Sequence, residues 1–148
     1  MRREMLKFFL LLAAVVITQA AVTEPLVGTW TLSSQTKNGQ KVDPEQMTLR
    51  IYPVGDSLEF AFSVPVNGVH MVGLKFTSVH LDGKPGTIED VRGNKIGDVK
   101  VTKIAPLEYK AVLEGPNRPT TTSKMTLSAD EKTLTSESGG QVQVFARR

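Results

Sequence analysis

The sequence predicts an all-β fold: an antiparallel up-and-down β-barrel of about eight to ten strands. Three observations carry this expectation. Behind residue 25 almost every segment alternates apolar and polar residues with period 2, which puts alternate side chains on opposite faces of a strand. Turn signals recur at roughly the 8–12-residue spacing of an all-β sandwich or barrel. The connections are short, whereas a two-sheet sandwich built on a Greek key, the structural alternative, needs a long return. Closing the sheet also removes edges that would otherwise invite aggregation.

In chain order, the first strand carries Leu26, Gly28, Trp30 and Leu32 against Val27, Thr29, Thr31 and Ser33, so the lone tryptophan shares a face with Leu32. Gln35 to Pro44 reads as a polar loop with an Asn38-Gly39 turn, and Asp43 to Met47 could form at most one helical turn. Met47, Leu49 and Ile51 alternate up to Pro53. After Gly55-Asp56, Leu58, Phe60, Phe62 and Val64 alternate in turn, making a hairpin. Asn67-Gly68 reverses the chain, and Val72, Leu74 and Phe76 hold one face of the next strand. Asp82-Gly83-Lys84-Pro85-Gly86 reads as the clearest turn, followed by a short strand over Ile88 to Arg92. Val99 and Val101 are in phase and Ile104 is not, which predicts a bulge. Leu107, Tyr109, Ala111 and Leu113 come next, then Gly115 to Pro119 as a turn, then Met125 and Leu127. Thr133 to Ser138 is a polar strand with a Gly139-Gly140 tip, and the last strand holds Val142 and Val144 and ends at Arg147-Arg148.

Residues 1–20 read as a secretory signal, leaving 21–148 as one domain. Arg2, Arg3 and Lys7 open it, Phe8 to Ile17 is unbrokenly apolar, and Thr18-Gln19-Ala20 offers a small-residue cleavage site. A membrane span is the competing reading, but the strictly apolar part falls short of the roughly 20 residues a span needs. Arg2-Arg3 resembles a twin-arginine signal, while the strong apolar run fits ordinary Sec export; both routes lead to the periplasm or the medium. With no cysteine there is no lipidation site, disulfide or thiolate chemistry, so no stable membrane anchor is expected after cleavage. The leader carries three cations and Glu4, a net +2, so the whole-chain charge of +3 falls to +1 without it. Nucleic-acid binding thereby loses its main support.

Gly28-Thr29-Trp30 just behind an export signal resembles the G-x-W motif that opens lipocalins and other calycins. With the Asp82-Gly83-Lys84-Pro85 segment and the run from Met125 to Thr135, residues 26–148 resemble small secreted bacterial lipocalin-like proteins. The resemblance implies a barrel around an interior that takes one small apolar ligand. It also implies that Trp30 sits at the closed end, covered by an arginine from the last strand. Parity with Val142 and Val144 makes Arg148 the candidate, with Arg147 next, since a guanidinium stacks on an indole while its donors satisfy loop carbonyls.

No catalytic motif is evident, no cofactor is implied and an enzyme is not expected. His70 and His80, the only histidines, are roughly 33 Å apart along one extended strand and cannot share a metal. Ser34-Gln35-Thr36-Lys37 fits S-x-x-K, but a nucleophile of that kind opens a helix, and this one leaves a strand. Glu59, Glu108 and Glu114 fall on outer faces. His70 shares parity with Val72, Leu74 and Phe76, so it joins Met47, Leu49, Phe60, Phe62, Tyr109 and Leu113 as a candidate lining residue; a histidine at the barrel rim is the alternative. The lining set would suit a small hydrophobic molecule, or it would simply fill a core. Three functions stay open: a carrier for such a molecule, a non-catalytic envelope interaction or structural module, and a barrel isomerase or hydrolase resting on His70 and Tyr109.

Overall fold

The computed structural model describes residues 24–148; the leader assigned to residues 1–20 lies outside the described residues. The described residues form eleven strands: β1 (Gly28–Lys37), β2 (Gln40–Val42), β3 (Thr48–Val54), β4 (Ser57–Val66), β5 (Val69–Val79), β6 (Asp82–Glu89), β7 (Lys95–Ala105), β8 (Glu108–Gly115), β9 (Arg118–Leu127), β10 (Thr133–Ser138) and β11 (Gln141–Arg147). Strand β2 is a stub folded back on the end of β1. The other ten form one antiparallel up-and-down barrel, closed where β11 returns to β1. Three hairpins turn on pairs with both φ angles positive, as type I′ turns require: Asn38-Gly39, Asn67-Gly68 and Gly139-Gly140.

Several local expectations change. Asp82 to Gly86 is the bulged start of β6 and not a free turn, because its residues pair with Lys100 and Thr102 of β7. Strand β3 runs one residue past Pro53, and β6 ends at Glu89. There the Asp90 carboxylate accepts the backbone N–H groups of Arg92 and Asn94, both at 2.9 Å, and bends the chain. The bulge expected near Ile104 is present, between Lys103 and Ala105, and Ile104 is exposed.

Two further register shifts matter more, because each inverts which side chains face inward. One leaves Ser33 unpaired between Leu32↔Phe145 and Ser34↔Val144. The other leaves Gly73 unpaired between Phe62↔Leu74 and Ser63↔Val72. Strand β5 is also bound to β6 only from Lys75↔Glu89 to Thr77↔Thr87. Its first half, Val69 to Leu74, therefore has a partner on the β4 side alone.

The end of the barrel where β1 begins and β11 stops is sealed. Trp30 is fully buried there, and its indole N–H donates to the Leu26 carbonyl at 3.0 Å. The guanidinium of Arg147 lies 4.2 Å from the indole ring centre. It donates to the carbonyls of Pro25 (2.6 Å), Val27 (2.9 Å) and Glu131 (2.8 Å). Arg147, and not Arg148, is thus the arginine over the tryptophan. The inward row of β11 is Gln143, Phe145 and Arg147, opposite Gln35, Leu32 and Trp30 of β1, while Val142 and Val144 face outward. Arg148 contributes its backbone N–H, bonded to Thr29. Gly28 has a reason to be glycine: its φ is +153°, and a Cβ there would sit 2.5 Å from the Arg147 Nη1 atom. Beside this stack, Glu24 accepts a hydrogen bond from the Tyr109 hydroxyl and pairs with Lys103 at 3.1 Å.

Trp30→Ala is expected to cost roughly 3–5 kcal/mol, the range for a fully buried aromatic. Arg147→Lys should cost about 1–3 kcal/mol, because an ammonium can neither cover the indole nor reach three carbonyls. Urea unfolding measures both; a Trp30→Ala barrel as stable as the parent would remove the indole from the list of supports.

Stability should also fall at high pH. Burial, and then the bond to Glu24, push the Tyr109 phenol far above its ordinary 10.0. Tyr52 moves the same way, chiefly through its bond to Glu59. A phenol raised on folding contributes stability that is complete below its unfolded pKa and is lost as pH climbs beyond it. Urea midpoints should therefore begin to drop near about pH 10 and keep falling as the pH rises further, with a shallower slope in Tyr109→Phe. An identical slope would contradict the assignment.

Candidate functional site

Above the sealed end lies a cavity of about 410 Å³. Ten strands make a wider interior than the eight that side chains can nearly fill. Small inward residues, Gly73, Ala111, Ser123 and Ser136, leave further space. Its floor and one wall are apolar. Phe60 and Phe62 both lean on Phe76, with ring centres 5.9 and 5.1 Å apart, the second pair edge-on. Met47, Leu49 and Leu113 complete this side, so five of the lining residues expected from the sequence do line the cavity.

Two of the expected residues do not. Tyr109 is fully buried but belongs to the sealed end, where its hydroxyl binds Glu24. His70 is exposed on the β4–β5 hairpin. The unpaired Gly73 reverses the phase of β5, so His70 and Val72 leave the face held by Leu74 and Phe76. His70 and Tyr109 accordingly stand at opposite ends of the barrel and form no common site. The expected outer carboxylates Glu59 and Glu114 pair with Lys75 and Lys100, each at 3.4 Å. Among the described residues no group of three or more acidic or histidine side chains could hold a metal ion.

The opposite wall is the part that strand alternation does not predict. Strands β1, β11, β10 and β9 present a band of uncharged polar side chains. Gln35 lies opposite Gln143, Gln143 opposite Ser136, and the Ser136 and Ser123 hydroxyls are 3.2 Å apart. Gln35 is only 3 % exposed. It faces inward because the unpaired Ser33 shifts the alternation of β1 by one residue. The signal available in the sequence is Phe145, whose parity with Gln143 points the amide inward. The apolarity of Val142 and Val144 masks it.

The site is thus a slot with an aromatic wall facing an amide-and-hydroxyl wall, and its lining holds no ionisable side chain. Such a slot can bind and orient a molecule. Comparison with protein-family models and with curated proteins returns no match for this sequence.

The two phenylalanines should separate in stability. Phe60 is 1 % exposed and belongs to the buried core, so Phe60→Ala is expected to cost roughly 3–5 kcal/mol. Phe62 is only partly buried and borders empty space, so Phe62→Ala should cost clearly less. Equal losses in thermal or urea unfolding would mean that Phe62 is core and not cavity wall.

Proposed function

We propose that the protein is an exported, lipocalin-like carrier that holds one small hydrophobic molecule inside its barrel. The observation that carries this reading is the cavity itself: about 410 Å³, largely apolar, in a barrel sealed at its other end. That volume falls within the range of roughly 300–1,000 Å³ typical of small-molecule sites. A core evolved only for stability would close such a space, since empty volume costs packing energy. The leader-like residues 1–20 support a periplasmic or extracellular location, and the glycine–tryptophan–arginine cluster at the sealed end supports the lipocalin-like assignment. On this reading the protein is not an enzyme, needs no cofactor and does not bind nucleic acid.

A second reading has one observation of its own. The β4–β5 hairpin exposes Val66, Val69, Met71 and Val72, and half of β5 lacks a neighbour on one side. An envelope interaction or structural module would use such a surface.

Native mass spectrometry of protein purified from its own host separates the two. The carrier reading expects a bound small molecule, and uptake of the neutral dye N-phenyl-1-naphthylamine with 1:1 stoichiometry. Replacing Ala111 by Phe, which fills the slot, should abolish dye uptake while the fold persists. Barrels that are always empty and never take up dye would refute the carrier and leave the interaction module.

A further inference from the structure

We propose that the ligand is an uncharged amphiphile, an apolar body bearing one hydroxyl, ester or amide group. The inference rests on the carrier reading and names the chemistry the cavity selects. Its lining contains no Lys, Arg, His, Asp or Glu. An ionised carboxylate, phosphate or ammonium placed there would give up its hydration with no opposite charge to replace it. Anionic lipids are therefore selected against.

The polar band excludes the other extreme. Gln143, Ser136 and Ser123 line the cavity, and Gln35 lies beside Gln143 on the same face. A pure hydrocarbon filling the slot would displace water from these amide and hydroxyl groups and return no hydrogen bond. A hydroxyl, ester or amide head restores it, because glutamine amides and serine hydroxyls both donate and accept. The band sits on the half of the barrel away from the seal, on the later part of β1 and the early part of β11, whereas Leu134 and Phe145 lie deeper. The ligand accordingly lies with its apolar end towards Trp30 and its head beside Gln143.

Competition against N-phenyl-1-naphthylamine tests this, with 1-dodecanol and dodecanoate as matched probes. At about pH 8 dodecanol should displace the dye at a concentration at least about tenfold below that for dodecanoate. Near pH 4, where the carboxyl protonates, the gap should close. Dodecanoate competing as well as dodecanol at the higher pH would overturn the inference. Gln143→Leu should weaken dodecanol roughly two- to tenfold more than it weakens the dye. Ser136→Ala provides the same comparison if that variant folds poorly. An unaltered dodecanol affinity in a variant that still binds dye would also overturn the proposal. A protein that takes up neither dye nor either probe overturns the carrier reading, and the inference falls with it.

Discussion

The barrel depends on one stacked pair. Arg147 covers the indole of Trp30 and ties together two stretches of backbone that no strand pairing connects: the run into β1 through Pro25 and Val27, and the β9–β10 turn through Glu131. A closed sheet fixes the wall of a barrel but not its ends, whose loop carbonyls would face water or each other. The guanidinium suits the task because its donors radiate in one plane while its face stays free for the ring. Everything else at that end is arranged around it. Gly28 leaves it room, the Leu26 carbonyl holds the indole edge, and Glu24 binds Tyr109 and Lys103 alongside.

Sealing one end is what makes the cavity usable. The same barrel open at both ends would be a wet tube, and one filled throughout would offer nothing to a ligand. Here the apolar layers thin out away from the seal, from Trp30 through Leu32 and Phe145 to the Gln35–Gln143 pair. Along this seam the interior thus passes from indole through leucine and phenylalanine to amide. On the carrier reading proposed above, that gradient would give a bound molecule a direction as well as a place.

Much of this is legible in the sequence, for identifiable reasons. Alternation is reliable where one face is uniformly apolar, so Leu49, Phe60, Phe62 and Leu113 fall correctly on the inside. It fails where a residue is left out of the ladder. Neither Ser33 nor Gly73 breaks the visible pattern, yet each inverts the facing of its neighbours, bringing Gln35 in and sending His70 out. It also fails where the interior is polar. In β11 the valines lie outside and an amide within, so the usual sign of the hydrophobic pattern is reversed and parity selects Arg148 in place of Arg147. Tyr109 has the right face and the wrong height, since strand parity carries no information about depth along the barrel.

The pairing of β1 with β11 has a consequence for how the molecule is made. Every other seam of the barrel joins strands adjacent or nearly adjacent in sequence, so those hairpins can form as soon as their residues are available. The seal spans the chain: Arg147 reaches back 120 residues to the Val27 carbonyl. Such a contact carries a large loop-closure entropy and belongs among the last steps of folding. Until that contact forms, the chain holds an open, curling sheet.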